Sequence, residues 1–188
     1  MVAAVRAVII PLFLVPTMLA AQAAKLDRRA PDFALSAVGG AGSKIRLLDF
    51  HGKPVVISFW ATWCPPCRKE MPEIASLFRA NQGTGLVVLA VNEEALETDI
   101  NGKPVYRRKA EHDSALSRFL REVALPFPVL TDDRDGAVWN RYSAGKLYLP
   151  ATFVVDSGGV VRAMFNGAVP IDSLAKAVRM FVPISHQE

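Results

Sequence analysis

Cysteine and histidine are scarce, with two of the first and three of the second in 188 residues. Structural zinc wants four ligands, and the chain has neither a second C-x-x-C nor a paired-His motif, so a zinc site is excluded. Arg68 rather than His follows the second cysteine, which excludes covalent haem attachment. His51, His112 and His186 stand alone, each expected at the surface. Low-complexity tracts and internal repeats are missing as well. The net charge of +4 and pI near 9.3 come from scattered basic residues, with Arg107-Arg108-Lys109 the one cluster. No basic patch interleaved with aromatics occurs, so the charge reads as solubility and nucleic acid is excluded as a partner.

What is present describes one globular domain behind a leader. The composition, 51% apolar and 21% charged, suffices for a core. Arg6 is the sole charge before Lys25, and Ala7 to Ala21 is apolar, interrupted by Pro11 and Pro16. The run ends in Ala21-Gln22-Ala23, a small-x-small cleavage pattern. Residues 1–23 therefore read as a signal peptide, with an uncleaved anchor as the rival. No cysteine sits at the boundary, which excludes a lipid anchor there. An extracytoplasmic, periplasmic location follows.

Lys25 to Asp32 reads as an extended linker. Phe33 to Ser36 and Lys44 to Leu48 alternate around a glycine-rich turn, an edge hairpin. Val55 to Trp60 and Leu86 to Val91 are apolar runs suited to strands covered on both faces. Between them Pro65 to Ala80 is a helix, expected to end by glycine capping at Gly83 and Gly85, and strand–helix–strand at these lengths is a parallel crossover. Asn92 to His112 is a polar insertion without assignable structure. Asp113 or Ser114 is expected to cap a helix with the stripe Leu116, Phe119, Leu120 and Val123. Pro128 to Leu130 forms a short strand and Asp135 to Tyr142 a short helix. Ala151 to Val155 and Val160 to Phe165 make a hairpin, and Ile171 to Val182 a closing amphipathic helix.

Both cysteines fall in Trp60-Ala61-Thr62-Trp63-Cys64-Pro65-Pro66-Cys67, at the join of strand and helix. With Cys64 at the N-cap, Pro65 takes the first helical position, where its missing N–H costs nothing. Cys67 then lies on the same side, and the helix's positive end favours a thiolate at Cys64. A bridge across a two-residue spacer constrains the unfolded chain too little to serve stability. Reversible closure and opening of a disulfide is the remaining chemistry for this pair.

Val55 to Glu70 and Leu149-Pro150-Ala151-Thr152-Phe153-Val154-Val155-Asp156 together resemble a known family. They are similar to the thioredoxin-fold thiol–disulfide oxidoreductases of the TlpA/ResA type, exported bacterial proteins related to the cytochrome-maturation thioredoxins. The resemblance spans about Pro31 to Val182, and a thioredoxin-like domain is expected over residues 31–183. It implies an α/β fold with a central mixed sheet flanked by helices, an N-terminal hairpin extension and a central insertion.

The resemblance implies that Cys64 attacks substrate, Cys67 resolves the mixed disulfide, and Pro150 is a cis-proline facing them. Trp63, Pro65, Pro66, Leu149 and Pro150 would form the client-binding surface, while Trp60 belongs to the core. Pro72 matches a helix-kinking proline. Glu70 matches a glutamate used near the active site, where it could relay the proton Cys67 must lose; the alternative is a solvated surface glutamate. Thioredoxins proper keep a buried Asp where Ser58 stands. Glu93-Glu94 reads as a polar loop.

The function implied is a monomeric reductant of protein disulfides that needs no metal or organic cofactor. Clients with disulfides or thiols are expected, such as apocytochrome c or a copper-delivery protein, with a membrane electron donor upstream. Tyr148-Leu149-Pro150-Ala151 lacks the Gly-x-Pro-Glu pattern of a cytochrome-maturation specialist. A dithiol oxidase and a Cu(I)-binding module stay as alternatives. A peroxiredoxin is rejected, because Thr62 precedes Cys64 by two residues rather than three.

Overall fold

Alternating side chains on the central strand divide the interior in two. On β3 (Val55–Trp60), Val55, Ile57 and Phe59 join one core cluster, while Val56 and Trp60 join the other. All six residues of β3 are buried, as expected of a strand covered on both faces. The computed structural model describes residues 26–40, 42–94, 109–132 and 136–181. The leader therefore lies outside the described residues, as do 95–108 of the polar insertion and the carboxyl-terminal 182–188.

Seven strands form one mixed sheet in the order β2-β1-β5-β4-β3-β6-β7. These are β1 (Ala34–Ala37), β2 (Lys44–Arg46), β4 (Val87–Asn92), β5 (Val129–Thr131), β6 (Ala151–Val155) and β7 (Val161–Asn166), with β3 at the centre. Strands β3, β4 and β5 run parallel, while β6, β7 and the β1–β2 hairpin are antiparallel to their neighbours. The hairpin occupies the sheet edge, joined to the rest through β5. A fold of α/β class with a thioredoxin-like sheet is therefore what the chain adopts.

Helices α1 (Pro65–Ala80), α2 (Lys109–Glu122) and α4 (Ile171–Phe181) share one core cluster, to which they contribute Met71, Ile74, Leu116, Phe119, Leu174 and Val178. Helix α3 (Ala137–Ser143) belongs to the other, where Phe59 meets Trp139, Tyr142 and Phe153 with ring centroids 5.0–5.9 Å apart.

Three local readings need correction. Helix α2 begins at Lys109, so neither Asp113 nor Ser114 is its cap; the Ser114 hydroxyl donates to the Ala110 carbonyl one turn back. The first turn of α2 is polar, and a search for an apolar stripe cannot see it. Helix α1 ends on Asn81, whose side-chain amide donates to the Leu77 carbonyl; Gly83 and Gly85 serve the following turn at φ +89° and +79°. The supposed linker is stitched to the β6–β7 hairpin, with the Asp27 and Ala30 amides donating to the Val161 and Gly159 carbonyls.

Candidate active site

The β3–α1 junction is built as capping chemistry requires. Cys64 is the N-cap, in extended conformation, and the prolines stand at the first two helical positions. They lack N–H groups, so the Cys67 amide is the donor that reaches the Cys64 Sγ, at 3.3 Å. The two sulfurs are joined as a disulfide. Cys67 is wholly buried whereas Cys64 keeps 4% exposure, so an incoming sulfur meets Cys64 first. Pro65 and Pro66 are exposed beside it, and Trp63 is half-buried.

The Leu149–Pro150 bond is cis. Pairing of Phe59 with Ala151 sets Pro150 beside the end of β3, where the Cys64 loop starts. The Pro150 carbonyl accepts from the Gly167 amide, so Pro150 itself has no backbone donor and its acceptor is engaged. Leu149 packs against both core clusters, one of which contains Cys64 and Cys67.

Glu70, one turn beyond Cys67 on α1, is 3% exposed, which removes the solvated-surface alternative. Its Oε1 accepts from the Thr152 hydroxyl at 3.0 Å and its Oε2 from the Val169 amide at 3.4 Å. Burial raises the carboxyl's pKa to about 7; the Thr152 and Val169 donors pull the other way, and Glu73 adds a further push upward. The proton of Glu70 thus exchanges near neutrality. A cleft of about 420 Å³ opens beside it, walled by Pro65, Pro66, Lys69, Glu73, Ala168 and Val169.

Glu93 and Glu94, read above as a polar loop, are buried. The Glu94 carboxylate accepts from the Thr62 amide at 2.6 Å, the Thr62 hydroxyl at 3.0 Å and the Asn92 side-chain amide at 3.0 Å. Its backbone carbonyl accepts from the Trp63 indole N–H at 3.2 Å. One residue at the end of β4 thereby fixes the two residues that precede Cys64. Glu93 is held well above the usual carboxylate range by burial and by neighbouring Asp132. Sequence gave one clue to this pair, its place at the carboxyl end of a buried strand, where ligand sites of parallel sheets gather.

Trp60 is fully buried against Phe119, with centroids 5.0 Å apart. Pro72 lies inside α1, and the helix runs through it to Ala80. His51 is exposed; His186 lies outside the described residues. Among the described residues no group of three or more His, Cys, Asp or Glu side chains is arranged to hold a metal ion.

Comparison with known proteins agrees with this geometry. Residues 26–164 match the model of the AhpC/TSA family. The thiol-disulfide oxidoreductase ResA of Geobacillus thermodenitrificans is 33% identical over 154 residues, 82% of this chain and 76% of that protein. ResA of Bacillus thuringiensis subsp. konkukian is 31% identical over 159 residues, 85% of this chain and 80% of its own length. Among solved structures, a thiol:disulfide interchange protein DsbE from Chlorobium tepidum superposes with a TM-score of 0.68 at 26% identity. It covers 86% of this chain and 100% of its own.

Proposed function

The chain belongs to the AhpC/TSA family and, within it, to the ResA-type thiol-disulfide oxidoreductases, and from that membership we propose that it is an exported reductant of protein disulfides. The observation that carries the reading is the Cys64–Cys67 disulfide at a helix N-terminus, with a neutral-range acid one turn below it.

In the reduced enzyme the Cys64 thiolate, favoured by the helix dipole and the Cys67 amide, attacks one sulfur of a client disulfide. A mixed disulfide forms and the client's other sulfur leaves as a thiolate, which takes a proton from water. Cys67 then gives its proton to the Glu70 carboxylate, and its thiolate attacks the Cys64 Sγ. The Cys64–Cys67 bond closes and the client departs with both sulfurs reduced. Two electrons have passed through sulfur alone, without metal or organic cofactor. A membrane electron donor restores the dithiol.

The client lies as an extended segment across Trp63, Pro65, Pro66 and Leu149, with Leu149 offering the backbone that Pro150 cannot. Apocytochrome c and a copper-delivery protein for respiratory assembly both present the cysteine pairs such a site takes. Export rests on the leader at 1–23, whether cleaved or retained as an anchor. Among the described residues no helix is long and apolar enough to cross a membrane. The enzyme acts as a monomer in the extracytoplasmic space.

Trapping tests the order of attack. Cys67→Ala should accumulate a mixed disulfide with a disulfide-bonded peptide, seen as a mass adduct on Cys64, and Cys64→Ala should abolish both adduct and turnover. Free turnover by Cys67→Ala would refute the resolving role.

A further inference from the structure

The two polar side chains on the α1-facing side of β3 and β6 stand opposite each other. Ser58 pairs with Thr152 in the antiparallel register, and both are 0% exposed. Their neighbours on that face, Val56, Trp60 and Val154, belong to the apolar cluster packed against α1. Ser58 stands between Ile57 and Phe59 on a fully buried strand, where a lone hydroxyl is costly to leave unpaired. Here the hydroxyls form a chain. Thr152 Oγ1 lies 3.4 Å from Ser58 Oγ and 3.0 Å from Glu70 Oε1.

We propose that Thr152 and Ser58 are positioning residues forming a reversible hydroxyl relay beneath Glu70, which keeps that carboxyl hydrogen-bonded with or without its proton. The inference rests on the reading of Glu70 as the acceptor of the Cys67 proton. A hydroxyl has one proton to donate and two lone pairs to accept with. When Glu70 is ionised, Thr152 donates to Oε1 and accepts from Ser58. When Glu70 carries a proton, it donates to Thr152, which turns its own proton toward Ser58. Glu70 Oε1 and the Thr152 hydroxyl keep a hydrogen bond to each other in both states, and Ser58 serves as donor in the first and acceptor in the second. The Val169 amide can only donate, so it favours the ionised form alone.

Among the described residues the sheet brings no charge to this cleft. The charged residues lining the cleft around Glu70 are Lys69 and Glu73, both from α1; β3 and β6 supply the two hydroxyls, and the β7–α4 loop supplies the Val169 amide and Ala168. Loss of the Thr152 hydroxyl should therefore act on Glu70 through one hydrogen bond, without disturbing an ion pair.

The test is a carbon-13 NMR titration of the Glu70 side-chain carboxyl in the full, oxidised chain. Thr152→Val removes the donor at nearly constant volume and should raise the midpoint by about one unit, a tenfold gain in proton affinity. Thr152→Ser keeps the hydroxyl and should return the midpoint to within a few tenths of wild type. Ser58→Ala should raise it by a smaller step. An unmoved midpoint in Thr152→Val, or equal shifts in the Val and Ser variants, would overturn the relay. This readout does not involve cysteine chemistry, so it separates from the parent reading, which fails instead if Glu70→Gln leaves the pH–rate profile of exchange unchanged.

Discussion

Two buried glutamates flank the redox pair, and they are held in opposite ways. Glu94 receives three donors on its carboxylate, from Thr62 twice and Asn92 once, and its carbonyl takes the Trp63 indole. Glu70 receives two, at 3.0 and 3.4 Å, and burial outweighs them until its proton is exchanged near pH 7. The two acids therefore differ in what their hydrogen bonds hold in place. Glu94 is an anchor that shapes the loop before Cys64, whereas Glu70 is the acid proposed to exchange a proton with Cys67.

Breaking the anchor should have the largest effect. Glu94→Ala strands the Thr62 amide, the Thr62 hydroxyl and the Asn92 amide, and at 1–3 kcal/mol for each stranded group the loss should be about 4 kcal/mol. Urea unfolding at pH 7 checks this, and exchange should slow because Thr62 loses its hold, while the Trp63 indole keeps its bond to the residue-94 backbone carbonyl. Unchanged stability would mean that the loop is fixed by something else.

Changing Glu70 should give a smaller effect that depends on pH. Its pKa is raised by folding, so the folded state binds more protons than the unfolded chain between about pH 4.5 and 7. The associated stability is fully present below that window and is lost as pH rises through 7. Glu70→Gln removes this slope, and the variant should exceed wild type at pH 8 by roughly 2–3 kcal/mol while matching it near pH 5. Thermal melts at the two pH values decide the matter. A parallel offset at both would contradict the assignment of a titrating, buried acid.

A control away from the site should barely register. Arg162 bridges Asp27 at 2.9 Å and Asp156 at 2.7 Å at the far end of the sheet, and the Arg162 and Asp27 side chains are 36% and 79% exposed. Arg162→Ala should cost less than about 1 kcal/mol, with an exchange rate equal to wild type. A large loss there would show that this surface network carries more stability than exposed ion pairs ordinarily do.

The parts of this arrangement differ in how far they could be read before folding. Strands β3, β4 and β6 announce themselves as apolar runs, and the Cys64-Pro65-Pro66-Cys67 cap follows from helix-terminus chemistry. Glu70 was visible as a candidate through the family resemblance, with helical spacing placing it one turn beyond Cys67. Thr152 was not, since a threonine in a strand is ordinary and its partner on α1 is 82 residues away. Glu94 was hidden for a similar reason: its partners at 62 and 63 are brought to it by the β3–β4 register. Short-range signals survive in a linear chain, while buried polar pairs across elements exist only once the sheet has formed. The same reasoning covers residues 27–30, whose charges suggested a linker and whose backbone extends the sheet edge instead.

The account stands or falls on the equilibrium between the closed and open forms of the Cys64–Cys67 pair, measured in glutathione or dithiothreitol buffers by alkylation and mass. A reduction potential near that of thioredoxin, about −270 mV, is the expected result. A value near that of DsbA, about −120 mV, would reverse the flow of electrons and make the protein an oxidase of dithiols.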